Sequence, residues 1–207
     1  MAYFLSFEGI DGCGKSTQLQ LLRDYLTEHK QSVTATREPG GTELAEAVRN
    51  YLLHSTQPLA SRTELLLFGA ARAQHVEEII RPALQRGDWV LSDRFADSSL
   101  AYQGGGLGLD TEFIRTMNAF ATGALQPHLT LLFDVEVEVA LGRRAQEKND
   151  RIEARGREFQ ERVRQAFLAA AQCEPERVKV LSSRLAPEEI YQNVLSILRE
   201  NGMLNGL

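Results

Sequence analysis

The chain has 207 residues, of which 43% are hydrophobic and 25% charged, with a formal net charge of −5. That length suits one domain with a full core and is short for two, so residues 1–207 are expected to form a single domain. The acidic balance argues against a general nucleic-acid binder, which usually shows a basic face, but leaves room for a locally positive cleft around a small anion.

Two cysteines, Cys13 and Cys173, lack metal-ligand spacing. They suggest neither a disulfide framework nor a zinc site and fit a reduced, cytoplasmic setting. Glu8 interrupts the first apolar run and no basic stretch precedes it, so no signal peptide is expected. No apolar segment approaches the roughly 20 residues that span a bilayer, so no membrane partner is expected.

Apolar runs alternate with helical patterns. Residues 3–7 read as a buried strand, and 15–29 as a helix with Leu19, Leu22 and Leu26 on one face. A short strand over 32–36 precedes helical stretches at 43–53 and 62–86, the second bent or split by Pro82. Residues 89–92 read as a strand and 111–122 as a helix. Residues 129–133 form a fully apolar strand, followed by helices at 137–144 and 153–172. A last strand at 178–181 leads into an amphipathic helix over 187–200 that begins with proline. Five apolar strands alternating with helices imply an α/β fold, a parallel sheet covered on both faces. Its ligands are expected beyond the carboxyl ends of the strands.

Directly after the first strand comes Gly9-Ile10-Asp11-Gly12-Cys13-Gly14-Lys15-Ser16, followed by Thr17. This fits G-x-x-x-x-G-K-[ST] at every fixed position. Its glycines let successive N–H groups converge on one anion at a helix N-terminus. Lys15 then reaches the β- and γ-phosphates, and Ser16 holds Mg²⁺ through them. Cys13 reads as a small filler whose pKa the helix N-terminus and Lys15 would lower.

A phosphate loop alone does not separate a switch GTPase or ATPase from a kinase. No N-K-x-D guanine motif follows, and four other segments favour a second phosphate-bearing substrate. Arg37, in Thr36-Arg37-Glu38-Pro39-Gly40-Gly41-Thr42, ends the second strand, where a guanidinium can grip a phosphate; Pro-Gly-Gly is equally ordinary turn chemistry. Asp93-Arg94-Phe95 ends the third strand. Phe68 and Arg72 lie four apart on a helix, suited to stacking a base and bonding its edge, or to a core Phe beside a solvated Arg. Arg143, Arg144, Arg151 and Arg155 fall in a segment at about 143–155. This could be a lid or a solvated charged face.

Together these stretches resemble thymidylate kinases. The likeness covers nearly the whole chain and rests also on Leu67-Phe68 through Gln74-His75, on Ala96 through Gly104, and on Asp150-Arg151-Ile152-Glu153. It implies a P-loop kinase fold with a short lid, ATP and dTMP as substrates, and a homodimer. It places Phe68 against the thymine, with Arg72, Ser99 and Gln103 as further base contacts and Pro39 near the methyl. Tyr102 would fill the space of a ribose 2′-OH, Asp11 would meet the 3′-OH, and Arg37 and Arg94 would hold the acceptor phosphate. Gly12 stands where some relatives carry a loop arginine, so the arginine for the transferring group should come from the lid, with Arg151 expected first and Arg143 second. The rival readings are another P-loop nucleotide or deoxynucleoside kinase and, from a different class, a P-loop ATPase or GTPase switch.

Overall fold

The computed structural model describes residues 2–146 and 150–205. Five strands, β1 (Phe4–Glu8), β2 (Val33–Arg37), β3 (Trp89–Asp93), β4 (Leu129–Asp134) and β5 (Val178–Ser182), form one parallel sheet in the order β2-β3-β1-β4-β5. Residues of β1 bury alternately to the two sides. Leu5 and Phe7 join a large core with Leu22, Leu26, Leu131, Val194 and Leu198. Phe4 joins a smaller one with Val76, Ile80, Val90 and Phe95. Burial on both faces is what a parallel sheet with helical crossovers requires.

The strands start and stop within a residue or two of their sequence limits, because their apolar runs are bounded by polar or glycine residues. Helix α1 is Lys15–Glu28 and α2 is Glu43–His54, the latter capped by the Thr42 hydroxyl, which accepts from Ala45 N–H at 3.1 Å. The expected long helix over 62–86 is α3 (Ser61–His75), a π turn (Val76–Ile80) and α4 (Arg81–Arg86). Pro82 supplies no N–H, and the widened turn just before it lets Arg81 N–H reach Val76 O. The helix therefore continues through the proline.

One helical unit was not foreseen. Residues Ala96–Ser99 (α5) run into a π-helical stretch, Leu100–Gly106. Two serines and three consecutive glycines are poor helix formers, so local propensity hid it. Packing supplies what propensity lacks. A Cβ on Gly105 would stand 2.3 Å from the Ala166 Cβ, so the glycines permit close approach of the following long helix, α8 (Arg157–Cys173).

The remaining helices are α6 (Thr111–Thr122), α7 (Val137–Arg143) and α9 (Pro187–Glu200). Gly156, at φ 84°, divides the helix expected over 153–172 into a 3₁₀ turn, Glu153–Arg155, and α8. Of the expected lid, 143–146 and 150–155 are described, and residues 147–149 lie outside the described residues. No described helix is long and apolar enough to cross a membrane.

Candidate active site

The carboxyl ends of β1, β2 and β3 meet one pocket. β1 delivers the loop from Gly9 to Gly14, and Lys15 opens α1. Gly12 sits at φ 85° with its Cα against the Ala140 carbonyl, where a Cβ would come within 2.5 Å. No other residue fits without moving α7. The Lys15 ammonium lies 3.6 Å from Asp11 Oδ1 and 3.8 Å from Asp93 Oδ1. The Ser16 hydroxyl donates to Asp93 Oδ2 at 2.7 Å. Ile10 and Cys13 are buried beneath the loop, while Thr17 is exposed on the first turn of α1.

The pocket beside this loop has an empty volume of about 560 Å³. Its wall includes Asp11, Pro39, Phe68, Arg94, Ser99, Tyr102 and Gln103, seven residues expected on the acceptor side. Arg94 lies at the centre of it. Its guanidinium donates to Gly9 O at 2.9 Å, Ser98 Oγ at 3.1 Å, Asp11 Oδ1 at 2.7 Å and Tyr102 OH at 3.0 Å. The same group lies over the Tyr102 ring, 4.9 Å from its centroid. The Arg94 backbone is left-handed, φ 73°, a conformation costly for a side-chain-bearing residue. Buried Glu8 stabilises it from below by accepting from Phe95 N–H at 2.7 Å and from Ser98 Oγ at 2.6 Å.

Two expected residues stand apart from the pocket wall. Arg72 is buried behind the wall and donates four of its five N–H groups, to Glu38 Oε2, Ser99 Oγ, Asn118 Oδ1 and Phe95 O. Arg37 is at the exposed rim, where one Nη donates to both oxygens of Glu46. The two lid arginines point in different directions. Arg151 turns away from the phosphate loop and donates to Leu52 O and Glu64 Oε2, both at 2.7 Å. Arg143 turns toward it, donating to Gly12 O at 3.3 Å and Ser183 O at 2.7 Å. The difference arises from Glu64, a fully buried carboxylate on α3 that draws both Arg151 and Arg155.

Electrostatics follow from burial. Burial alone would raise Asp11, but Arg94 and Lys15 outweigh it and hold this carboxyl well below its ordinary range. Burial likewise opposes the charge of Arg94, and Asp11 together with Tyr102, Asp93 and Glu8 more than restores it. Cys13 corrects an expectation: it is fully buried, and burial pushes its thiol up despite Lys15. A thiol lowered by the helix N-terminus is not what the fold builds.

Sequence reasoning passed over Glu8, Glu38, Arg49 and Glu64. Arg49 lines the pocket and donates to Pro39 O at 2.9 Å. Its signal was its place on the helix directly after the Pro-Gly-Gly turn. Glu38 was read only as part of that turn, yet it binds Arg72 and lies 3.1 Å from His75 Nδ1.

A phosphate cradle that opens into a separate walled pocket, with an arginine at the junction, defines a P-loop phosphotransferase with an acceptor substrate of its own. The model describing the thymidylate kinase family, "Thymidylate kinase", matches residues 7–194. A thymidylate kinase of Symbiobacterium thermophilum is 49% identical over 97% of this chain and 94% of its own. One of Kosmotoga olearia is 49% identical over 93% of each. The crystal structure of thymidylate kinase from Ehrlichia chaffeensis superposes with a TM-score of 0.81 at 36% identity, covering 95% of this chain and 98% of that one. The chain belongs to the thymidylate kinase family.

Glu8 gives this site a pH signature. Burial and the neighbouring Asp97 raise its carboxyl to about 7, against the pull of Arg94, Ser98 and the Phe95 N–H. A carboxyl that holds its proton more tightly folded than unfolded favours folding most below about pH 4.5, and this advantage is lost as pH rises through 7. Wild-type stability relative to Glu8→Gln should therefore fall by about 2–3 kcal/mol between pH 5 and pH 8. Urea denaturation of both proteins at the two pH values measures it, and a constant difference would mean that Glu8 is ionised throughout.

Proposed function

We propose that this chain transfers the γ-phosphoryl group of ATP to dTMP, giving dTDP and ADP, with the residue roles that follow. The observation that carries this reading is the Arg94–Asp11 pair, which joins the phosphate loop to a pocket walled by Phe68, Tyr102 and Gln103. Gly9 to Thr17 receive the ATP phosphates, with Lys15 reaching the β- and γ-groups. Phe68 stacks on the thymine, Pro39 stands by its methyl, and Ser99, Gln103 and the remaining Arg72 N–H address its polar edge. Asp11 meets the 3′-OH, and Tyr102, bonded to Asp11 at 3.1 Å, closes the space of a 2′-OH. Arg94 holds the acceptor phosphate, with Arg37 and Arg49 at the same end.

No general base is needed, because the acceptor oxygen is already anionic at neutral pH. The barrier lies in bringing two anions together and stabilising charge on the group in flight, so positioning and fixed charge do the work. Arg94 arrives already desolvated and oriented. The Ser16 hydroxyl and the Asp93 carboxylate offer oxygen donors beside Lys15, a set suited to a hard cation such as Mg²⁺. A bound Mg²⁺ supplies neutralisation of phosphate charge. Asp150, Ile152 and Glu153 line the pocket from the lid side, where closure would exclude water that could otherwise accept the phosphoryl group.

A coupled ADP-release assay with ATP and dTMP, dUMP, dCMP or thymidine tests the reading. Turnover should be fastest with dTMP, depend on Mg²⁺, and be lost in folded Lys15→Ala. Release of ADP without any acceptor would point instead to a nucleotide switch.

The lid arginine that serves the transferring group is, on this geometry, Arg143, while Arg151 anchors the lid root to Glu64. Arginines that act on such a group contribute about 10³–10⁵ in kcat. Arg143→Ala should lower kcat by roughly two orders of magnitude or more with a modest change in ATP affinity, and Arg151→Ala by less. Steady-state kinetics and ATP titration of both variants decide between them. A collapse confined to Arg151→Ala would restore that residue to the role the sequence first suggested.

The protein acts in the cytoplasm as a homodimer. Helices α2, α3 and α6 pack together and leave Leu44, Tyr51, Leu66, Phe113 and the almost fully exposed Phe120 on their outer surfaces. Such apolar exposure fits a self-complementary interface. Sedimentation velocity should show a dimer for wild type and a shift toward monomer for Leu66→Asp/Phe120→Asp; a monomeric wild type overturns it.

A further inference from the structure

Gln103 forms part of the pocket wall, yet its side chain is held from outside the pocket. Its Nε2 donates to Glu64 Oε1 at 3.0 Å. Gln103 is 1% exposed and Glu64 is completely buried. Glu64 also accepts from Arg151 at 2.7 Å and from both terminal nitrogens of Arg155, at 3.1 and 2.5 Å. Burial alone would raise the Glu64 carboxyl, but these bonds outweigh it and keep it below its ordinary range. Two guanidiniums on one buried carboxyl keep it ionised.

An ionised carboxylate accepts hydrogen bonds and cannot donate them. The amide of Gln103 is therefore fixed in one of its two orientations, with NH₂ toward Glu64 and its carbonyl oxygen left for a ligand. A thymine carries a donor at N3–H between two carbonyl acceptors. A cytosine carries an acceptor at N3 and a donor at N4. A fixed acceptor facing N3 accepts from the N3–H of thymine and repels the N3 lone pair of cytosine. A partner group agrees: the Ser99 hydroxyl on the pocket wall, which accepts from Arg72 at 2.9 Å, keeps its own proton to donate to a carbonyl oxygen.

We propose that Glu64 is a positioning residue for base selection: by locking the Gln103 amide with its oxygen toward the pocket, it makes the site selective for pyrimidines bearing N3–H over those with an unprotonated N3. Glu64 touches no substrate and acts through Gln103. The inference rests on the reading of Gln103 as a base contact. Freed of Glu64, the amide can rotate and present NH₂ to a cytosine N3. The same carboxylate holds the root of the lid through Arg151 and Arg155, so loss of lid anchoring must be separated from loss of selection.

The experiment compares the KM for dTMP with the inhibition constant of dCMP against dTMP. It uses wild type, Glu64→Gln, Glu64→Ala, Arg151→Gln and Gln103→Ala, each with its KM for ATP and its thermal midpoint. The two Glu64 variants should narrow the dTMP preference by about tenfold, roughly one hydrogen bond, whatever change in ATP KM they share with Arg151→Gln. Glu64→Gln nearly preserves volume and serves if Glu64→Ala does not fold. Arg151→Gln loosens the lid root, leaves Arg155 on Glu64, and should keep the ratio. If neither Glu64 variant moves the ratio while Gln103→Ala does, Gln103 selects unaided and the inference falls. Equal narrowing by Arg151→Gln also overturns it, since the effect would then belong to the lid. If Gln103→Ala itself leaves the ratio unchanged, the base-contact reading fails and takes the inference with it.

Discussion

The site is organised by one short contact, Arg94 Nη2 to Asp11 Oδ1 at 2.7 Å. It ties the end of β3 to the loop after β1. A guanidinium this deeply placed would be costly without an anion beside it, and a carboxylate in the phosphate loop would repel the phosphates without a cation. Each makes the other tolerable, and Tyr102 closes the arrangement by donating to Asp11 and accepting from Arg94. The left-handed backbone of Arg94, braced by Glu8 through Phe95 N–H, is the conformation that lets the side chain turn back over β1. The donor and acceptor halves of the reaction are thus positioned by the same few atoms.

The same pairing recurs around the pocket. Glu38 holds Arg72, and Glu64 holds Arg151 and Arg155, all at 2.5–2.8 Å. These carboxylates are buried or nearly so, and each fixes a guanidinium on a different element. Such pairs add little net stability compared with apolar packing, but breaking one leaves an uncompensated buried charge. Their product is geometry: the wall residues are set before any ligand arrives, which is where a positioning mechanism draws its rate.

The sheet, the phosphate loop and most helix limits were legible in the sequence because each is written locally. Period, flanking glycine and the G-x-x-x-x-G-K-[ST] spacing all act over a dozen residues or fewer. The pocket wall was legible through motif order. What stayed hidden depends on contacts across the fold. The helix over 96–106 exists because glycines admit α8, and nothing in Ser98, Ser99 or Gly104 announces that partner. Arg151 and Arg143 look alike in sequence, and only the buried Glu64, 87 residues from Arg151, separates them. Cys13 shows the same limit: a neighbouring lysine is visible in sequence, while the burial that outweighs it is not.

The π-helical stretch from Leu100 to Gly106 has a consequence for how this wall can vary in length. A π turn closes its hydrogen bond one residue later than an α turn, so it stores one extra residue without displacing its ends. Removing a single residue there would leave α5 and α6 connected much as before. Only side chains inside the stretch would change direction, by roughly a quarter turn, carrying Tyr102 or Gln103 off the pocket wall. The backbone could absorb the loss, while the pocket could not. The spare residue thus sits where the wall is built, so a change of length there would alter the cavity and not the flanking helices.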